Sequence, residues 1–286
     1  MDLVIGRGTF GTVRVFRDSK FGKLCIYKTA NSVEKNGDLE KEDNLLRKLK
    51  GKQVVERYGS FVDENGLFTI ILEYLPRDLR KVILKEEAYS FNIRRKILFE
   101  ILKGIEHIHN LKVTHNDLKP ENVLVNEDFS IKICDFGMAT ETDSKTIKYD
   151  KVFTNLKYKS PERLLGTRNL DDLFASDIWS FGCIAFELLT GKALFNGENE
   201  IDQLLSIFRI VGTPVEASLN YLNSLPSISK SGIILPSFKP NWELLGFNCK
   251  DSKPFFELLR HSLNPSSLER ITATQALKLK IFSDLL

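Results

Sequence analysis

The chain has 286 residues, enough to bury a sizeable core as one long domain or two compact ones. Its 42% apolar and 28% charged content is that of an ordinary globular protein. A net charge of +3 is too small to argue for a nucleic-acid or anionic-membrane partner.

The four cysteines (Cys25, Cys134, Cys183 and Cys249) are scattered without a C-x-x-C pair. They make neither a zinc site nor a disulfide framework and suit a reducing compartment. No basic leader with an apolar core opens the chain, and the apolar stretch from Ile178 to Leu189 is interrupted by Ser180, Gly182 and Glu187, as in a buried helix. The expectation is an intracellular enzyme, nuclear or cytoplasmic, with neither nucleic acid nor membrane as partner.

In chain order, residues 3–29 alternate apolar and turn residues around Gly6-Arg7-Gly8-Thr9-Phe10-Gly11-Thr12-Val13. Alone, this glycine spacing fits a dinucleotide loop or merely a tight turn. A dinucleotide fold needs a helix directly after the glycines, whereas Thr12-Val13-Arg14-Val15-Phe16 favours a strand, so the glycines cap a hairpin. Glycine lets the backbone approach phosphates and leaves amide N–H groups free to bind them. Leu24-Cys25-Ile26-Tyr27-Lys28 follows. A helix is predicted over about 34–49, with Leu39, Leu45, Leu46 and Leu49 on one stripe. Glu42 borders that stripe; Glu40 is the rival, and either also reads as a surface charge. Phe68 to Leu72 is a buried-strand pattern, and Asp78 reads as the N-cap of the next helix.

Ile93, Ile97, Ile101, Ile105 and Ile108 recur at helical spacing and deliver His115-Asn116-Asp117-Leu118-Lys119-Pro120-Glu121-Asn122. The short strand Val123-Leu124-Val125 comes next and, beyond it, Asp135-Phe136-Gly137. A helix, a polar loop, a strand pair and a second acid suit phosphoryl transfer. One carboxylate accepts the attacking hydroxyl's proton, while an amide and the second carboxylate hold Mg²⁺ on the phosphates. Either segment alone reads as an ordinary turn; the two in this order leave that reading little room.

These motifs resemble those of the eukaryotic protein kinases, and the resemblance runs over essentially the whole chain. It implies an α+β, bilobal fold. A small antiparallel β-sheet lobe with one helix would take residues 1–74, and a larger, mainly helical lobe residues 75–286, with an insertion at about 212–250. It implies ATP and Mg²⁺ as cofactors and proteins as substrates. Asp117 would be the base and Lys119 would stabilise the transferring phosphoryl group, with Asn122 and Asp135 as metal ligands. ATP would meet Ile5, Gly6, Gly8, Gly11 and Val13 in the hairpin, and Lys28 paired with Glu42, which the kinase helix pattern selects over Glu40. It would also meet the hinge at Glu73 and Leu75, with Asp78 on the ribose, and Leu124. Leu72 would guard the back pocket. Lysine two residues after the catalytic acid resembles the serine/threonine kinases.

Tyr158 to Gly166, Leu194-Phe195-Asn196-Gly197, Glu200-Ile201-Asp202-Gln203-Leu204 and Gly212-Thr213-Pro214 resemble the branch holding cyclin-dependent and mitogen-activated kinases, the cyclin-dependent side more closely. That similarity implies an activation segment over 135–162, a Glu162–Arg270 brace, and Asp177 supporting the catalytic-loop backbone. It also implies a proline-directed enzyme of cell-cycle or transcription control, with a cyclin-like subunit as a possible partner. A pseudokinase scaffold and a mitogen-activated-kinase-like enzyme are the alternatives. The chain departs from the pattern at several positions. Asn116, Lys41 and Thr140 stand where cyclin-dependent kinases carry arginine, Asp150 at the phosphoacceptor, Ile26 at a small alanine, Asn155 at a threonine and Lys159 at an arginine. The segment 36–42 does not resemble the cyclin-binding signature.

Overall fold

A computed structural model describes residues 2–8, 11–85, 89–142, 155–167, 169–229, 235–245 and 253–285. The reading placed on Asp150 lies outside the described residues.

The first third of the chain builds a five-stranded antiparallel sheet. Its strands are β1 (Asp2–Arg7), β2 (Thr12–Asp18), β3 (Lys23–Thr29), β4 (Arg57–Val62) and β5 (Phe68–Glu73), in the order β1-β2-β3-β5-β4. Register places Lys28 opposite Val13 on one side and Ile70 on the other, and Ile26 between Val15 and Leu72. Because strand residues alternate faces, Lys28 points away from Tyr27, whose ring packs with Phe16 and Phe61 at centroid distances of 4.9 and 5.9 Å. Helix α1 (Asn36–Lys48) lies on the Lys28 face; residues 33–35 form a tighter 3₁₀ turn before it. Asn36 fixes the start of α1: its Nδ2 donates to Gly66 O and its Oδ1 accepts from Phe68 N–H, both at 2.8 Å. The buried stripe of α1 contains Leu39, Leu45 and Leu46, as the periodicity requires, and also two acids, Glu42 and Asp43.

The remainder is mainly helical. A second sheet has strand order β6-β8-β9, from β6 (Arg77–Asp78), β8 (Val123–Val125) and β9 (Ile131–Ile133). A further pair joins β7 (Val113–Thr114) to β10 (Thr140–Glu141). The helices are α2 (Leu79–Leu84), α3 (Phe91–Asn110), α4 (Pro161–Leu164), α5 (Leu170–Thr190), α6 (Glu200–Val211), α7 (Glu216–Ser224), α8 (Pro226–Ser229), α9 (Lys253–Ser262) and α10 (Ala273–Leu277). Ile97, Ile101, Ile105 and Ile108 of α3 are fully buried against the small sheet, α5 and α10. Gly104 on that face is needed for close approach, since a Cβ there would lie 2.7 Å from Ile133 Cδ1. Helix α5 is buried almost all round; 78% of its apolar window lies inside the protein, which makes it a core helix.

Proline, serine and asparagine are frequent in residues 212–250, a composition that suggests mostly irregular structure. The described part instead contains α7 and α8. Leu222, Leu225 and Ile228 recur every three residues and are buried, so an apolar stripe overrides the turn-rich composition.

The two parts are also joined by a seam. Val55 N–H donates to Ile133 O at 2.9 Å, Ile133 N–H donates to Gln53 O at 2.8 Å, and Val54 bridges Ile133 in parallel. The stretch after α1 thereby extends the small sheet.

Candidate active site

The polar loop after α3 is held by one buried carboxylate. Asp177 of α5, 1% exposed, accepts from His115 N–H at 2.8 Å and Asn116 N–H at 2.9 Å, and lies 2.9 Å from His109 Nε2. His115 is fully buried. Its Nδ1 accepts from Asp117 N–H at 3.2 Å while Nε2 faces Cys134 O at 2.9 Å, so the ring hydrogen sits on Nε2. The Phe136 ring packs on this imidazole at 4.9 Å. Sequence reading gave His115 no role, yet it joins Asp117 to the residue before Asp135. The signal available was a histidine two residues ahead of the acid.

Asp117 Oδ2 receives Lys119 Nζ at 2.6 Å and Asn122 Nδ2 at 3.2 Å, and the same Nδ2 donates to Asp117 O at 2.8 Å. A 3₁₀ turn, Pro120–Asn122, aims Asn122 back at Asp117. Asp135 has a φ of 64° and directs Oδ1 to Lys28 Nζ at 2.7 Å. Lys28, 7% exposed, also meets Glu42 Oε2 at 2.6 Å and Oε1 at 2.9 Å. Glu42 is 1% exposed while Glu40 faces solvent, so the structure selects Glu42 as the lysine's partner. Burial alone pushes the Lys28 ammonium toward neutrality, but the Glu42 and Asp135 charges outweigh it and hold its pKa above the ordinary value. Desolvation raises the Asp135 carboxyl; the Lys28 charge and hydrogen bond outweigh that and hold it below the usual carboxylate range.

The residues expected around the nucleotide are placed as follows. In the β1–β2 hairpin, Gly8 N–H donates to Gly11 O at 2.9 Å, and Asn31 Nδ2 donates to Gly8 O at 2.9 Å. Gly11 tolerates no side chain, since a Cβ would lie 2.5 Å from Thr29 O. Gly6 pairs with Val13, and Ile5 is exposed. Glu73 ends β5 with its carboxylate 3.0 Å from Lys132 Nζ, and Leu75 is buried with no backbone partner for its amide among the described residues. Asp78 caps α2, accepting from Lys81 N–H at 2.8 Å, and lies opposite Leu124 in register. Leu124 is half-buried on β8 and packs on the core.

Beside Asp117 lies a small polar pocket, partly open to solvent and lined by Asn116, Asn155, Tyr158 and Lys159 among others. Asn155 caps the turn Leu156–Tyr158 by accepting from Lys157 N–H at 3.2 Å, and Lys159 pairs with Glu200 at 2.8 Å. Below it, Arg270 Nη1 and Nη2 grip Glu162 at 2.7 and 3.0 Å, both side chains fully buried. Of the three positions that lack the branch's arginine, two meet and the third stands apart. Asn116 Nδ2 donates to Thr140 Oγ1 at 3.1 Å, whereas Lys41 is 66% exposed and pairs with Asp38 at 3.8 Å.

For a divalent ion the donor set fits. Asn122 Oδ1 and Asp135 Oδ2 take no hydrogen bond among the described residues, and both are hard oxygen donors of the kind Mg²⁺ prefers.

The protein kinase domain family matches residues 2–282. The chain belongs to the protein kinase family. This kinase is 32% identical over 290 residues to the Cell division control protein 2 homolog 3 of Trypanosoma brucei brucei, an alignment that takes in 98% of this chain and 90% of that protein. It is a divergent eukaryotic kinase of the cyclin-dependent-kinase-like kind.

Proposed function

We propose that this kinase transfers the γ-phosphoryl group of ATP to serine or threonine hydroxyls of protein substrates. One observation carries the reading: Lys28 bonds Glu42 and Asp135 at once, while Asp117 is bonded to Lys119 and Asn122. These are groups of the kind that phosphoryl transfer uses, and a scaffold has no chemical need for them. In this reading Asp117 orients the hydroxyl and takes its proton. Lys119, already on the Asp117 carboxylate, neutralises charge on the moving phosphoryl group, and Lys28 holds the α and β phosphates. Asn122 and Asp135 would hold Mg²⁺, which supplies charge neutralisation on the phosphates when bound. The glycines of the hairpin let its backbone come close to the phosphates, and the Leu75 amide meets the adenine edge.

Proline-directed choice and a role in cell division rest on the similarity to the trypanosomal protein and to the cyclin-dependent branch. A cyclin-like subunit is not needed to seat Glu42 in this reading. Helix α1 is anchored by its own chain, at Asn36 to Gly66 and at Lys48 to Glu141, the latter at 2.7 Å. The test is phosphate transfer from labelled ATP to a positional peptide library with Mg²⁺. Asp117→Asn should keep nucleotide affinity and lose about 10²–10⁴-fold in kcat. Absence of transfer to every peptide by the wild type, with candidate partners supplied, would sink the reading.

A further inference from the structure

Asn116 directly precedes Asp117 and has a φ of 65°, in the left-handed region where asparagine is among the few non-glycine residues at ease. Its main chain is held to Asp177. Its side-chain Nδ2 donates to Met138 O at 3.0 Å and to Thr140 Oγ1 at 3.1 Å. A carbonyl only accepts, so the amide must turn its nitrogen toward Met138. The Oδ1 atom is buried and takes no hydrogen bond among the described residues, so the two donations alone set the amide's orientation. Met138 closes the turn that starts at Asp135, and Thr140 opens β10, where it pairs with Thr114 of β7. One planar group thereby spans from the residue before one acid to the segment leaving the other.

Resting on the kinase reading above, we propose that Asn116 is a positioning residue whose carboxamide sets the spacing of Asp117 and Asp135 through uncharged hydrogen bonds. The chemistry suits the place. The junction is half-buried and presents a carbonyl oxygen, so an ionised carboxylate there would repel it and a cation would need a counter-charge. Nothing in the link depends on a charge added to the loop that follows.

The test uses the whole chain with two variants. Asn116→Gly keeps the left-handed backbone without strain and removes only the amide. Asn116→Asp keeps the shape and loses the donor. Both should lower kcat about 10- to 100-fold, with the ATP KM within about twofold of wild type. Hydrogen exchange at the amides of 138–142 should quicken in both. Unchanged kcat and unchanged exchange in Asn116→Gly would overturn the proposal. If wild type transfers no phosphate at all, the kinase reading falls, and exchange still decides the tether: faster in the glycine variant supports it, unchanged rejects it.

Discussion

Asp43 of α1 and Arg57 of β4 form a paired contact in which the carboxylate is 3% exposed and Arg57 Nη2 lies 3.1 Å from Oδ2. Arg47 Nε, at 2.9 Å, and Ser60 Oγ, at 3.3 Å, complete the shell around the acid. Asp43 follows Glu42 directly, so this pair clamps the helix that presents Glu42 to Lys28. Arg57→Ala leaves a buried acid with a half-exposed arginine, and breaking such pairs costs ~3–5 kcal/mol; the remaining Arg47 puts the expected loss near the lower end. Replacing both partners by leucine should cost far less, because no charge is stranded. Denaturant unfolding of the three proteins measures this, and a double variant as unstable as Arg57→Ala would refute the ion-pair account.

The Asp135 carboxyl gives a pH signature. Its folded pKa is depressed, so its stabilising contribution is present above the ordinary carboxylate pKa, about 3.9, and is lost as pH falls through the lowered value. The melting-temperature gap between wild type and Asp135→Asn should be constant at neutral pH and close below pH ~4. A gap that persists through strong acid would mean that Lys28 contributes nothing through charge.

Ile26 stands between Val15 and Leu72 on the Lys28 face of the sheet, half-buried, with its side chain toward the expected adenine site. Crowding of this kind typically costs ~1–3 kcal/mol. Ile26→Ala should therefore tighten ATP binding, by up to about tenfold for 1.4 kcal/mol relieved. Calorimetry showing equal or weaker binding would show that the pocket already accommodates isoleucine.

Loop phosphorylation is not expected to be the switch. A phosphate is held by converging guanidinium forks, and Asn116 and Thr140 are instead bonded to each other while Lys41 lies out on α1. Enzyme made in bacteria and treated with phosphatase should keep its transfer rate. A large loss, restored by an activating kinase, would reverse this conclusion.

Much of this was legible beforehand because the motifs are local. The run from His115 to Asn122 is short enough that the backbone of its own turn brings Asn122 onto Asp117, whereas the leucine stripe of α1 left Glu40 and Glu42 both open. The Lys28–Glu42 and Glu162–Arg270 pairs, 14 and 108 residues apart in sequence, came through resemblance alone, since spacing says nothing about contacts made across a fold. Asp43 was missed because an acid at a core-facing helix position reads as a surface charge until Arg57 is seen beside it. Asp78 had two readings, and the cap is the one its Lys81 contact displays. The helices α7 and α8 were hidden because composition was weighed above the three-residue spacing of Leu222, Leu225 and Ile228.

The seam between Gln53–Val55 and β9 has a mechanical consequence. Lys132 reaches Val54 O at 3.3 Å and the Glu73 carboxylate at 3.0 Å, so the two crossings between the β-sheet and the helical part are stitched side by side. The molecule is then bound like a book along one spine. In the kinase reading, opening of the nucleotide cleft would then be a swing about that spine, with the hinge end at Glu73 and Leu75 moving least.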